Sequence, residues 1–149
     1  PLLVKKTRKA LPFSDYEDVE NNMPRFIEYM FEEYAGSRFH FTWSQWVQSF
    51  FENENVVLVK YEDLLKDAKA ELKKTIRFLE KELPLDECLT EIVQRFSFEN
   101  MTKRLPGEEN RNSFLRKGIA GDWKNYFSQK AIDIFGEYAG RELEGLGYR

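Results

Sequence analysis

Apolar positions along this chain recur mostly at helical spacing. Phe26, Ile27, Met30, Phe31 and Tyr34 share one face behind Pro24, which stands where a first-turn proline belongs, and Gly36 ends the run. Trp43, Trp46, Val47, Phe50 and Phe51 repeat the spacing as an aromatic stripe that reads as core rather than as a ligand platform. A third face carries Ala68, Leu72, Ile76, Leu79 and Leu83, with Asp67 as its N-cap and Pro84 as its stop. Residues 86–95 predict a short helix with Leu89, Ile92 and Val93 inward. Ser128 caps a final amphipathic helix bearing Ile132, Phe135, Tyr138, Ala139, Leu143 and Leu146. Only residues 56–61, V-V-L-V-K-Y, read as a strand, nearly continuous in apolar residues as a buried parallel strand would be. Residues 12–22, with Ser14, Asp15, Asp18, Asn21 and Asn22, read as a mobile connection, and residues 102–114 as a charged, Asn-rich loop.

One strand among five or six helices is an odd inventory, because a lone strand cannot satisfy its own backbone groups. Its neighbours are expected to be encoded elsewhere. The chain's 149 residues suffice for one domain with a core, and 13 Phe, 7 Tyr and 3 Trp supply packing material. A net charge of −3 argues against a nucleic-acid binder. Between Thr102 and Lys130, however, seven Lys/Arg stand against three Asp/Glu, a cationic island suited to a small anion or an ordinary variation of surface charge. Lys5, Lys6, Arg8 and Lys9 form a second basic cluster, read as a solvated face. Cys88 is the only cysteine, which excludes an internal disulfide and suits a buried packing thiol. No apolar run approaches the length of a membrane span and no targeting signal is visible, so a cytoplasmic location is the default expectation.

Candidate chemistry concentrates in residues 114–124, F-L-R-K-G-I-A-G-D-W-K. Arg116 offers a planar fork of donors suited to phosphate oxygens, and Lys117 adds a point charge beside it. Gly118 and Gly121 let the backbone bend and approach a ligand closely. Taken alone, an R-K-G triplet is either a phosphate-grasping loop or a solvated turn. Other residues invite assignment less strongly. Glu62 and Asp63 are adjacent acids better read as capping or salt-bridging groups than as an acid/base pair or a metal site, and His40, the sole histidine, reads as structural.

The longer string R-K-G-x-x-G-D-W-K-N-x-F resembles the C-terminal signature of sulfotransferases that use 3'-phosphoadenosine 5'-phosphosulfate. Three more segments resemble that family, in its order: T-W-S-Q-W-V-Q-S-F-F (42–51), V-V-L-V-K-Y-E-D-L (56–64) and S-F-E-N-M (97–101). The resemblance covers residues 23–148, most of the chain. It implies an α/β fold, the C-terminal part of a P-loop-type three-layer α/β/α sandwich, mostly helical in this portion. Residues 1–149 would be the C-terminal portion of a single sulfotransferase domain, with residues 1–22 a basic segment and an acceptor-side loop able to act as a lid. By the resemblance, Arg116, Lys117 and the Gly118 amide would hold the 3'-phosphate. Tyr61, Phe98, Met101 and Phe114 would contact the adenine, with Ser97 beside them. Phe96 departs from the pattern, since many members carry a hydroxyl residue there.

The implied activity is transfer of a sulfuryl group to a hydroxyl or amine of a small-molecule acceptor, leaving adenosine 3',5'-bisphosphate and needing no metal. The family's lysine-bearing donor loop, its Arg…Ser segment and its catalytic histidine have no counterpart in these residues, so no catalytic residue is assigned. The chain alone is expected to be inactive and to need the N-terminal half of the same domain. The alternative is a non-catalytic nucleotide-binding pseudo-enzyme or fragment, and a helical interaction domain is a third reading. A homodimer is left open: Lys124, Ser128 and Asp133 fall where the family often has a dimerisation motif, of which only the lysine matches.

Overall fold

The computed structural model describes residues 11–34, 41–51 and 53–148. The expectations for the basic cluster at residues 5–9, for Gly36 and for His40 lie outside the described residues. The chain forms two compact units, one of Pro1–Asn53 with Trp123–Arg149 and the other of Glu54–Asp122.

In the first unit, helix α1 (Val19–Glu28) runs into a π-helical turn, Tyr29–Tyr34. Asp18 starts it, its carboxylate accepting from the Asn21 amide at 3.3 Å. Residues 19–22 are thus helical rather than part of a connection. Pro24 lies inside the helix, where its missing N–H cannot bond the preceding turn, instead of opening the first turn. Helix α2 (Trp43–Gln48) begins at a capping box, in which the Thr42 hydroxyl accepts from Gln45 N–H and the Gln45 side chain accepts from Thr42 N–H. The last helix, here numbered α6 (Gln129–Gly145), is capped by Ser128 as expected. Both α1 and α2 pack on α6.

Between these helices Ile27, Val47, Ala131 and Ala139 are buried, Val47 with only 1% of its surface exposed. Phe31 stacks on Tyr138 with ring centroids 4.8 Å apart, and Phe31 and Trp43 both lean on Phe135. The aromatic stripe at 43–51 is only partly core: Trp46, within α2, and Phe51, beyond its end at Gln48, are exposed. Polar ties join the same faces. Ser44 Oγ donates to the Tyr138 carbonyl at 3.0 Å and Gln48 Nε2 donates to Glu142 Oε1 at 2.5 Å. Tyr138 donates its hydroxyl to Glu32, and that bond, with partial burial and nearby carboxylates, pushes its pKa up to about 12.

Glu142 is buried, and the bond from Gln48 holds its carboxyl below the ordinary glutamate range. A depressed folded-state pKa contributes stability that is present above the unfolded value and lost as pH falls through the folded one. The melting temperature should therefore fall more steeply between about pH 5 and pH 3 in the wild type than in Glu142→Gln, which has no proton to gain there. Parallel acid profiles for the two proteins in a thermal-melt series would refute this.

In the second unit residues 56–60 have no regular secondary structure, Lys60 being extended just before the helix; there is no strand among the described residues. The expected strand at 56–61 is thus absent as a strand, since no described strand stands beside it to offer a ladder of donors and acceptors. Lys74 Nζ donates to the Leu58 carbonyl at 2.9 Å and ties this stretch to α3. Helix α3 (Tyr61–Phe78) is kinked at Asp67, whose φ of −153° is non-helical and whose carboxylate accepts from Ala70 N–H at 2.9 Å. The expected cap is there, but a further turn of helix precedes it. The C-terminal end is set by Glu80 in the left-handed region (φ 54°), not by Pro84, so Leu79 and Leu83 lie beyond the helix and are exposed.

Helix α4 (Asp86–Arg95) has the expected bounds. Leu89 takes the inward position with 1% of its surface exposed, leaving Cys88, about 100° around the helix, exposed rather than buried. Ile92 is also exposed. Lys69 and Lys73 bridge to Asp86 at 3.0 and 2.5 Å, and their hydrogen bonds lower its pKa. Helix α5 (Phe98–Thr102) follows at once, and a 3-10 turn, Asp122–Asn125, ends the long loop behind it. No helix among the described residues is long and apolar enough to cross a membrane.

Candidate phosphate-binding recess

All of the site's described groups belong to the second unit. Tyr61 reaches it from the first residue of α3, where Lys60 is the last extended residue before the helix. Phe98 opens α5, whose N-cap Ser97 accepts from the Asn100 amide at 3.2 Å. The loop after α5 supplies the rest. Lys103 terminates α5 in the left-handed region, and the chain then folds back on itself. Gly107 N–H donates to the Lys117 carbonyl at 2.8 Å and Asn110 N–H to the Arg116 carbonyl at 2.9 Å. Arg104 closes the loop from inside: its guanidinium donates to the carbonyls of Glu108 at 2.6 Å, Arg116 at 2.8 Å and Leu115.

These segments enclose a recess of about 300 Å³. Six of the residues singled out from the sequence line it: Tyr61, Phe98, Phe114, Arg116, Lys117 and Gly118. Ser97 and Met101 do not line it; Ser97 caps α5, and Met101 is exposed on the same helix. Leu115, Ile119 and Asp122 complete the lining. Phe114 is 100% exposed, so it is no part of a core. Gly118 adopts φ 65°, and a Cβ placed there would lie 2.4 Å from Phe98 Cδ2, so the backbone touches the ring only because the residue is glycine.

Charge converges on Asp122. Arg116 bonds Glu109 through Nη1 and Asp122 through Nη2, while Lys117 Nζ stands 2.6 Å from the other Asp122 oxygen. The Lys117 and Asp122 side chains are only 19% and 11% exposed, so this cluster is screened less than a surface pair. One carboxylate thus orients two cations toward one point. Neither Asp122 nor Glu109 was foreseen as part of the site; the acid in G-D-W-K was the only available signal for the first, and the second had none. Glu62 and Asp63, by contrast, sit in the first turn of α3, where Asp63 pairs with Lys60 at 3.7 Å and Lys66 at 3.6 Å, in line with the salt-bridging reading of that residue. Among the described residues no group of His, Cys, Asp and Glu is placed to hold a metal ion.

Aromatic rings together with a guanidinium and an ammonium in one lining make a recess suited to a nucleotide phosphate. Comparison with known proteins gives the family. Residues 5–147 match the sulfotransferase domain family. Sulfotransferase 1B1 of Canis lupus familiaris is 35% identical over 131 residues, 79% of this chain and 44% of that protein. Sulfotransferase 1E1 of Rattus norvegicus is 32% identical over 136 residues, 83% of this chain and 46% of that protein. Among solved structures, mouse sulfotransferase SULT7A1 complexed with PAP superposes with a TM-score of 0.58 at 29% identity, covering 82% of this chain and 50% of that one. The chain spans about half the length of the relatives it matches. Matched over residues 5–147, and 35% identical to one relative over 79% of its own length, the chain belongs to the sulfotransferase domain family.

Proposed function

We propose that this chain forms the 3'-phosphate and adenine side of the donor site of a sulfotransferase using 3'-phosphoadenosine 5'-phosphosulfate, within the C-terminal part of a three-layer α/β/α domain. The observation that carries the reading is the convergence of Arg116, Lys117 and Gly118 with Tyr61, Phe98 and Phe114 on one recess. The donor supplies a sulfuryl group: the acceptor oxygen or nitrogen bonds to sulfur, the S–O bond to the 5'-phosphate breaks, the acceptor proton goes to a base, and adenosine 3',5'-bisphosphate leaves. Arg116 and Lys117 neutralise the 3'-phosphate, and the Gly118 amide donates to it. Tyr61, Phe98 and Phe114 pack against the adenine, while Ser97 acts only by capping the helix that carries Phe98. Asp122 holds both cations in place before the nucleotide arrives, which lowers the ordering cost of binding.

In this reading the base and the groups acting on the transferred sulfur come from outside these residues, in the N-terminal half of the same domain. Titration calorimetry of the purified protein with adenosine 3',5'-bisphosphate should show binding that weakens as salt rises. Absence of binding would overturn the proposal. The 149-residue polypeptide alone should form no sulfated product, and product formation would overturn the division of labour.

A further inference from the structure

Arg104 touches the walls of the recess without lining it. Its guanidinium lies 5.0 Å over the Phe98 ring, the ring against which Gly118 is packed. The same group donates to the carbonyls of Leu115 and Arg116, while Gly107 N–H takes the carbonyl of Lys117. Three successive carbonyls are therefore turned toward the 104–110 segment. In a trans peptide the carbonyl and the following N–H point opposite ways, and no cis bond occurs among the described residues. The amides of Arg116, Lys117 and Gly118 are accordingly turned away from that segment. Successive amides presented to one side make an anion-binding concavity.

We propose that Arg104 is a positioning residue for the nucleotide phosphate: by holding the Leu115 and Arg116 carbonyls and covering Phe98, it sets the direction of the Arg116–Lys117–Gly118 amides. The proposal rests on the donor-site reading above. Planarity matters to it. A guanidinium can bond two neighbouring carbonyls and lie flat on a ring together, whereas an ammonium of equal charge cannot do all three.

The test uses Arg104→Lys, which keeps the charge, and Arg104→Gln, which removes it. Calorimetry compares adenosine 3',5'-bisphosphate with adenosine 5'-phosphate, and amide hydrogen exchange is followed at residues 116–118 in the nucleotide-free protein. Both variants should bind the bisphosphate about tenfold more weakly or worse, with the 5'-phosphate nearly unaffected, and should exchange Lys117 and Gly118 amides about tenfold faster. Arg104→Lys matching the wild type in both readouts would overturn the proposal, since charge alone would then suffice. Equal losses for the two nucleotides would also overturn it, as general softening rather than positioning. If the wild type binds neither nucleotide, the donor-site reading fails, and the exchange rates alone judge Arg104: unchanged rates in Arg104→Lys reject it.

Discussion

Replacing Arg116 and Lys117 together by alanine should lower affinity for adenosine 3',5'-bisphosphate by about 10³-fold, the product of two charge-assisted contacts worth about 1.5–3 kcal/mol each. The loss has a second source. Asp122 and Glu109 now balance these cations, and the double variant would remove both cations and leave the two carboxylates in place. A phosphate would then meet repulsion from Asp122, which lines the recess, as well as missing donors. The salt dependence of binding should largely disappear with the cations. Each partner is replaceable only in part: Arg116→Lys keeps the charge but loses the fork that spans Glu109 and Asp122. Calorimetry across a salt series decides the matter. A double variant within tenfold of the wild type would mean that the phosphate is held elsewhere.

Gly118→Ala should be the most damaging single methyl that can be added to this site. The new Cβ would fall 2.4 Å from Phe98 Cδ2 and 2.5 Å from its Cγ, and Cγ is near the root of the side chain rather than its free end. The ring must therefore move as a whole, taking with it the surface under Arg104. A left-handed φ of 65° adds about 1 kcal/mol of backbone strain for any residue with a Cβ. We expect about 1–3 kcal/mol of lost stability and at least a tenfold loss of nucleotide affinity. Urea unfolding and calorimetry measure the two effects separately. Wild-type values in both would show that the recess does not depend on the contact between Gly118 and Phe98.

Much of the local structure was legible because it is decided within a few residues. Ser128 caps α6, Asp67 caps the longer part of α3, and the bounds of α4 follow the spacing of its apolar residues. Each depends on a side chain reaching an amide three positions away, or on a face repeating every turn. The failures were equally specific. Pro24 read as a first turn because proline fits there, but the Asp18 carboxylate captures the Asn21 amide and starts the helix earlier. Residues 56–61 carry the composition of a strand, yet strand formation needs a partner that composition cannot supply. Cys88 and Ile92 are apolar enough to suit cover, yet both are exposed, and Leu89 takes the buried position.

The same division runs through the site. Sequence alone determined the types of group at the recess, a guanidinium, an ammonium, a flexible glycine and aromatic rings, because the R-K-G string and its companion segments are contiguous and keep the family's order. Only the tertiary structure decided which acids hold the cations and which arginine holds the loop. Glu109, Asp122 and Arg104 act across 5 to 12 residues, through a fold-back that no periodicity announces. Such contacts form only once a loop has closed, and closure is set by the summed packing and hydrogen bonding of its ends rather than by any one residue.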